Sequence, residues 1–195
     1  MRNDFDQILI DRDRIAARVR EIGRDLAADL IRALRAEGHD PDQAGHVVLV
    51  PVMTGALVFV ADLIRELPMK LSLGVVAVTS YPGTATKTQG AKLASELPDN
   101  LTGRHVVVVD DILDSGETAA LVKRLIEQKG AASVRVCVLL RKNVEGRPPV
   151  IEADYAGFEI PDEFVVGYGL DYNGLYRNHP EIVTLKPEAI ADQIG

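Results

Sequence analysis

Residues 106–118 read Val-Val-Val-Val-Asp-Asp-Ile-Leu-Asp-Ser-Gly-Glu-Thr, and this stretch decides the fold. Four consecutive valines are typical of a strand buried on both faces, as in a parallel sheet. Asp110 and Asp111 follow directly, so two carboxylates are predicted where the strand emerges from the sheet. Because ligands of open α/β sheets bind outside the carboxyl ends of the strands, the stretch predicts a binding site as well.

The second half of this stretch, Asp114-Ser-Gly-Glu-Thr118, is predicted to open a helix. The first N–H groups of a helix lack intrahelical partners and the helix dipole is positive there, which favours a phosphate. Gly116 permits close backbone approach, and the hydroxyls of Ser115 and Thr118 add donors. The carboxylates beside this turn suit sugar hydroxyls or Mg²⁺. A sugar phosphate could place its phosphate at the start of the helix and its hydroxyls at the carboxylates.

Other interpretations of the acidic pair remain open on these residues alone. A polar loop with a helix N-cap would show the same pattern without binding a ligand. A response-regulator receiver also binds Mg²⁺ through an acidic pair at a strand end, but that pair lies near its N-terminus. Here Asp110 lies past the middle of the chain. A P-loop is excluded because the sequence lacks its Gly-Lys-Ser/Thr signature.

Outward from this stretch, the apolar residues alternate between the periods of strands and helices. The predicted helices cover 13–36, 56–67 and 117–129, and the predicted strands cover 46–52, 71–79, 105–110 and 133–140. Asp11 or Asp13 can cap the first helix, and Gly38 can end it. Alternating strands and helices predict right-handed βαβ units. The fold class is therefore α/β, with a mainly parallel twisted sheet flanked by helices.

Two segments depart from this alternation. Residues 81–103 are polar, rich in Gly, Pro and Thr and without apolar periodicity, which is typical of a lid or a disordered connector. From 143 onward the strand patterns are short, and Phe164–Tyr168 is the clearest. We expect a single domain over 1–195, with a small hood lobe formed by the N-terminal residues and about 150–195.

Composition narrows the class of partner. The 195 residues carry a net charge of -7, which disfavours nucleic-acid backbones and anionic membranes. The one cysteine, Cys137, allows no internal disulfide and lies in an apolar run, where a core residue is expected. The first residues show no hydrophobic signal region, and no apolar stretch approaches the length of a membrane span. We therefore expect a cytoplasmic protein.

The stretch 106–118 resembles the phosphoribosyl-diphosphate (PRPP) motif of type I phosphoribosyltransferases, and its Ile-Leu-Asp-Ser-Gly form is closest to the hypoxanthine-guanine branch. Further motifs occur in that family's order, at Ile8–Asp11, Gly55–Leu63, Thr79–Tyr81 and Gly157–Tyr172. The resemblance covers about residues 5–187. It implies the type I phosphoribosyltransferase fold, with a hood lobe and a flexible active-site loop.

The resemblance implies which residues bind PRPP, the phosphoribosyl donor. Residues Asp114, Ser115, Gly116, Glu117 and Thr118 would cradle the 5′-phosphate of PRPP. Asp110 and Asp111 would face the ribose hydroxyls and a bound Mg²⁺. Asp114 would also be the catalytic general base, placed near purine N7 while N9 attacks the anomeric carbon.

The resemblance also implies how the purine is held. Lys142 would donate to the exocyclic O6, Phe164 would stack on the ring, and the Val165 backbone would contact the pyrimidine edge. Asp171, at the same end of the chain, would help to hold a Mg²⁺ near diphosphate. These residues favour a 6-oxopurine over adenine, while xanthine stays open.

Two further segments complete the implied site. The loop at 81–103 would close over the reaction, with Ser80 and Tyr81 at its start. Diphosphate would contact Arg177 and the turn containing Thr54 and Gly55, where the resemblance implies a non-proline cis peptide. Many relatives have lysine where this chain has Thr54, so the charge of that lysine is missing here.

The activity implied by the resemblance is purine salvage. A glycosyltransferase of this kind transfers the phosphoribosyl group of PRPP to hypoxanthine or guanine, with Mg²⁺ as cofactor, and works as a homodimer or homotetramer. Two alternatives remain: an adenine or xanthine enzyme, and an RNA-binding regulator with a similar Asp-Asp motif. The regulator would need a basic face, which a net charge of -7 without a Lys/Arg cluster disfavours.

Overall fold

A computed structural model describes residues 2–43, 45–80 and 91–191. The strands are β1 (Phe5–Ile10), β2 (Val47–Met53), β3 (Ser72–Leu73), β4 (Val76–Ser80), β5 (Ala91–Leu93), β6 (His105–Leu113), β7 (Ser133–Lys142), β8 (Tyr155–Ile160), β9 (Val165–Val166) and β10 (Ile182–Leu185). The α-helices are α1 (Arg12–Ala36), α2 (Leu57–Leu63), α3 (Glu117–Gln128) and α4 (Pro187–Ala191). Short 3-10 helices cover Arg2–Asp4 and Ile64–Glu66.

The large sheet has seven strands, in the order β5-β4-β2-β6-β7-β8, with β3 beside β2. Every pairing in it is parallel except the antiparallel pair of β4 and β5. The four valines form the middle of β6, between β2 and β7. The predicted α/β class with a mainly parallel sheet is therefore confirmed.

Alternate side chains of the central strands point into two cores on opposite faces of the sheet. Val107 and Val109 of β6 pack in the core covered by α1 and α2. Val106 and Val108 pack in the core covered by α3. Because both faces are buried, a run of four valines is stable at this position, whereas an alternating polar pattern would bury unpaired polar groups.

Helix α1 begins and ends as its sequence predicts. The Asp11 carboxylate accepts from the backbone N–H groups of Asp13 and Arg14 at 3.0 and 2.9 Å, so Asp11 is the N-cap. Gly38 follows the last turn with φ 80°, a left-handed conformation that glycine adopts without steric cost. The helix therefore presents one apolar face to the sheet over its whole length.

A second, three-stranded antiparallel sheet has the order β1-β10-β9. It joins the N-terminal strand to residues 165–185, so these two distant parts of the chain form a small sheet separate from the large one. The expected boundary near 150 needs correction, because Tyr155–Ile160 forms the edge of the large sheet beside β7. Gly157 allows this close pairing, since a side chain there would overlap the Leu139 carbonyl oxygen.

One expected loop and two expected strands differ in extent from the structure. Strand β6 continues past Asp110 to Leu113, because β7 also continues and pairs with Ile112 and Leu113. Within the expected loop 81–103, residues 91–93 form a strand antiparallel to β4. The predicted strand 71–79 is divided into β3 and β4. No helix in the described ranges is long and apolar enough to cross a membrane.

Candidate active site

A cleft of ≈ 430 Å³ opens at the carboxyl ends of β2, β4 and β6. It is bounded by the end of β6, the turn into α3, the turn after β2, and a loop near the C-terminus. The predicted site residues that line it are Gly55, Asp110, Asp111, Asp114, Ser115, Gly116, Thr118, Asp171 and Arg177. Residues separated by more than a hundred positions therefore meet at one edge of the sheet.

The turn from β6 into α3 has the geometry expected of an anion site. Gly116 is the N-cap of α3 with φ 78°, so the chain reverses there in a conformation that favours glycine. Ser115 and Thr118 line the cleft, while the exposed side chain of Glu117 does not. Glu117 instead donates its backbone N–H to Ser115 Oγ at 3.4 Å. The first turn of a 12-residue helix thus faces the cleft.

Asp110 and Asp111 form a buried carboxylate pair at the floor of the cleft. The Asp111 backbone N–H donates to Asp110 Oδ1 at 3.0 Å. Burial and the neighbouring Asp111 charge raise the pKa of Asp110 well above its usual range. Burial also raises the pKa of Asp111, although hydrogen bonds and the Arg177 charge oppose this shift. Two adjacent carboxylates with raised pKa values favour a cation or hydroxyl donors nearby.

Asp114 lies between two cationic side chains. Arg147 Nη2 donates to Asp114 Oδ1 at 3.0 Å. Lys142 Nζ lies 3.7 Å from the other oxygen, Oδ2, and 3.3 Å from Asp162 Oδ1. Because Lys142 belongs to the end of β7 and Asp114 to the turn before α3, this contact joins two neighbouring strand ends.

A second pocket of ≈ 240 Å³ adjoins the cleft and shares Asp111, Ile112, Asp114 and Asp171 with it. Its remaining walls are Lys142, Phe164, Val165 and Leu170. Phe164 is 48% exposed although apolar, and its ring meets Tyr172 edge-on at 5.4 Å. An accessible aromatic face beside a lysine suits a flat heterocycle with a hydrogen-bond acceptor. All the residues predicted for purine binding therefore line one pocket.

Asp171 and Arg177 form an ion pair at the rim of the cleft. Arg177 Nη2 lies 2.6 Å from Asp171 Oδ1, and Arg177 Nη1 donates to the Gly169 carbonyl oxygen at 2.6 Å. The Gly174 backbone N–H donates to Asp171 Oδ2 at 2.7 Å. Both side chains are thereby held in place, and the Arg177 guanidinium lies near enough to Asp111 to oppose the rise in the pKa of that carboxyl.

The turn after β2 contains a cis peptide between Met53 and Thr54. Met53 and Gly55 line the cleft, whereas the exposed Thr54 does not. A side chain at Gly55 would overlap the Asp111 carboxylate, so glycine is needed for the close approach of the turn and β6. The Gly169 backbone packs on the opposite side, against the Gly55 carbonyl oxygen.

The residues predicted to begin the lid lie at the limit of the described structure. Ser80 is the last residue of β4 and its backbone pairs with Ala91 of β5. Tyr81 lies outside the described residues. Val78, two residues before Ser80, lines the cleft, so β4 points toward the site from the side of the sheet opposite β7.

Two polar residues near Asp114 were not predicted from the sequence to belong to the site. Asp162 contacts Lys142, and Arg147 contacts Asp114. Arg147 lies in a turn, closed by its N–H donating to the Val144 carbonyl oxygen at 3.1 Å. The Gly-Arg-Pro-Pro sequence at 146–149 indicates a turn. It does not indicate that the turn faces Asp114, because 33 positions separate the two residues.

Comparisons with known proteins agree on one family. A sequence profile described as "Phosphoribosyl transferase domain" matches residues 15–173. The chain is 35% identical over 187 residues to a hypoxanthine-guanine phosphoribosyltransferase of Bacillus subtilis, covering 96% of this chain and 97% of that protein. It is 38% identical over 192 residues to the bifunctional protein TilS/HprT of Listeria innocua. That match covers 98% of this chain but 28% of the longer relative.

Solved structures agree with these sequence matches. A hypoxanthine phosphoribosyltransferase from Staphylococcus aureus superposes with a TM-score of 0.83 at 35% identity, covering 96% of this chain and 95% of that chain. A hypoxanthine phosphoribosyltransferase from Trypanosoma cruzi superposes with a TM-score of 0.86 at 31% identity, covering 98% of this chain and 96% of that chain.

Proposed function

This chain belongs to the phosphoribosyltransferase family, and from that premise we propose that it transfers the phosphoribosyl group of PRPP to hypoxanthine or guanine. The products are IMP or GMP and diphosphate, so the reaction is purine salvage. One observation carries the proposal: the cleft of the phosphate turn and the pocket of Lys142 and Phe164 are adjacent and share Asp114. A donor and an acceptor bound in the two spaces would meet at that carboxylate.

The donor binds across the cleft. The 5′-phosphate sits at the N-terminus of α3, where Ser115 and Thr118 line the cleft and the helix dipole is positive. The carboxylates of Asp110 and Asp111 accept from the ribose hydroxyls. Diphosphate lies toward Arg177 and the backbone of the turn at Gly55, which form the far wall.

The carboxylates of the cleft fit a magnesium ion. Asp110, Asp111 and Asp171 all line it, and carboxylate oxygens are preferred Mg²⁺ ligands. Within the described ranges, no three metal-ligating side chains are close enough to hold an ion alone. Mg²⁺ is usually held by one or two carboxylates with substrate phosphates and water, and this site matches that pattern. When bound, the ion would offset the charge that develops on departing diphosphate.

The acceptor purine lies in the second pocket, stacked on Phe164, with its pyrimidine edge toward the Val165 backbone. Lys142 donates to the exocyclic O6 of the purine. Asp114 accepts the proton from N7 while N9 forms the bond to the anomeric carbon and the bond from that carbon to diphosphate breaks. The electron pair of the breaking bond leaves with diphosphate.

Three further parts of the proposal concern the surroundings of the site. The loop beginning at Ser80 and Tyr81 closes over the bound substrates and excludes water, which would otherwise attack the activated ribose. The protein acts in the cytoplasm as a homodimer or homotetramer.

The test is a turnover assay of the purified chain with PRPP, Mg²⁺ and each of hypoxanthine, guanine, xanthine and adenine. We expect IMP from hypoxanthine or GMP from guanine, and loss of turnover when the metal is chelated. Adenine should not react, because its 6-amino group cannot accept a hydrogen bond from Lys142. Turnover of adenine alone, or of no base at all, would reject the proposed function. Light scattering of the same sample measures the oligomeric state.

A further inference from the structure

Arg147 reaches Asp114 from a surface turn between β7 and β8. Its backbone N–H donates to the Val144 carbonyl oxygen at 3.1 Å, and Gly146 has φ 73°, so the turn has a defined shape. The guanidinium then donates to Asp114 Oδ1 at 3.0 Å. The Arg147 side chain is 58% exposed, so its burial contributes little to the core.

The two oxygens of Asp114 face different cations. Oδ1 accepts from Arg147, whereas Oδ2 is the oxygen nearer to Lys142, at 3.7 Å. Lys142 is 14% exposed and lines the pocket of Phe164. Arg147 lines neither that pocket nor the phosphate cleft, and instead lines a separate depression that also includes Lys142. Arg147 therefore contacts one carboxylate oxygen, while the other lies nearer to Lys142, a residue of the pocket.

The segment that carries Arg147 is attached to the phosphate turn. The Val150 backbone N–H donates to the Ser115 carbonyl oxygen at 2.9 Å. Ile151 packs so closely on Gly116 that an added Cβ would lie 3.1 Å from Ile151 Cγ2. Arg147 and Asp114 thus belong to two segments whose backbones contact each other close to both residues.

From this arrangement we infer that Arg147 is a positioning residue for the reaction, an inference that rests on the proposed function. It holds Asp114 Oδ1, which directs Oδ2 to the place where the purine N7 proton must be accepted. A general base transfers a proton only within hydrogen-bond reach, so the orientation of the carboxylate controls the chemical step. Arg147 itself touches neither substrate.

The first experiment compares Arg147→Gln, Arg147→Lys and Arg32→Gln in steady-state turnover with saturating PRPP, Mg²⁺ and hypoxanthine. Arg32→Gln is the matched control, because Arg32 is also exposed and lies 3.0 Å from an aspartate, Asp29, but lines none of these pockets. We expect Arg147→Gln to lower kcat about tenfold, less than the 10²-fold that a 1 Å misplacement can cause. The KM for PRPP and the Tm should stay unchanged, since exposed ion pairs contribute little stability.

Arg147→Lys should recover most of the lost kcat, because the single contact to Oδ1 needs one charged donor and no bidentate fork. Arg32→Gln should behave as the unchanged protein. A purely structural role for Arg147 would instead lower the Tm and leave kcat of the folded fraction unaffected. That result, or an increase in the KM for PRPP as the main effect, overturns the inference.

The second experiment repeats Arg147→Gln in an Asp114→Asn background. If Arg147 acts through Asp114, its removal should have almost no further effect on the residual kcat, so the two changes are not additive. A second tenfold loss would show that Arg147 acts elsewhere and would overturn the inference. Failure of the proposed function is separate, because then the unchanged protein would not turn over a 6-oxopurine.

Discussion

The two halves of the candidate site are built in different ways. The phosphate half comes from one continuous stretch, 106–118, in which strand, turn and helix follow without interruption. The purine half is collected from Lys142 at the end of β7, Phe164 before β9, and Asp171 in the next loop. The geometry of the phosphate half therefore depends on the local conformation of one segment. The geometry of the purine half depends on how distant segments of the chain pack together.

The largest expected effect concerns Asp114, the residue that the two halves share. Asp114→Asn keeps the turn and its hydrogen-bonding shape but cannot accept the proton, so kcat should fall on the order of 10²–10⁴. PRPP binding, measured by calorimetry, should remain. Near-normal turnover of Asp114→Asn would remove the general base from the mechanism and leave the two halves without a shared catalytic group.

The next effect isolates the purine half. Lys142→Gln replaces a charged donor with a neutral one, and hydrogen bonds to charged groups contribute enough to give a loss of about 10- to 100-fold. The loss should appear in kcat/KM for hypoxanthine, while the dissociation constant of PRPP changes little. If both substrates lose affinity equally, the halves are not independent and Lys142 instead supports the phosphate turn through Asp114.

A stability measurement tests the phosphate half. The raised pKa of Asp110 means that the folded state binds this proton more tightly than the unfolded chain does. Ionisation of Asp110 therefore costs stability as the pH rises above its unfolded pKa of about 3.9. Asp110→Asn should raise the Tm of the metal-free protein by about 2–4 °C at pH 7 and less at pH 4.

The same Asp110→Asn protein should lose turnover, because the carboxylate is assigned to ribose and metal. A higher Tm together with a loss of turnover would mean that the carboxylate of Asp110 destabilises the fold and is required for the reaction. A lower Tm at pH 7 would contradict this account. Phe164→Leu is a comparison variant from the purine half, where no buried carboxylate is relieved and no gain in Tm is expected.

The smallest expected effect is at the diphosphate turn. Thr54→Lys restores the charge that many relatives have, and it should lower the KM for PRPP about two- to threefold, the scale of an exposed ion pair. The KM for hypoxanthine should not change. The present structure leaves Thr54 exposed and off the cleft, so an unchanged KM would mean that backbone groups at Gly55 suffice for this turn.

Prediction from the sequence was most accurate for features that depend on residues close together along the chain. The buried strand of four valines and the turn at Gly116 are found as predicted, and of the two aspartates considered for α1, Asp11 is the N-cap. Each of these features depends on neighbours within a few residues. Prediction worked less well at the ends of elements. Strand β6 extends to Leu113 because β7 pairs with it, and no property of 111–113 alone indicates that partner.

The expected start of the hood lobe near residue 150 was also inaccurate because a distant partner decides it. Tyr155–Ile160 has a short strand pattern that would fit either sheet, and its place beside β7 depends on Gly157 fitting against Leu139. The contact between Arg147 and Asp114 was likewise missed, because it depends on how the segment after the turn at 144–147 docks on the chain segment of Asp114, where the Val150 N–H donates to the Ser115 carbonyl oxygen. Such contacts join distant segments, and a pattern of neighbouring residues carries little information about them.

The sequence pattern by itself determined the α/β class and the position of the turn into α3, because hydrophobic period, helix capping and glycine geometry are local properties. The residues expected around the purine came instead from the resemblance to a known family. Only the tertiary structure decided that Lys142, Phe164 and Asp171 line one pocket beside Asp114. It also decided that Arg147 contacts one oxygen of Asp114 while Lys142 lies nearer to the other. Parallel strands bring their carboxyl ends to one edge, so the site forms only after distant segments have packed together.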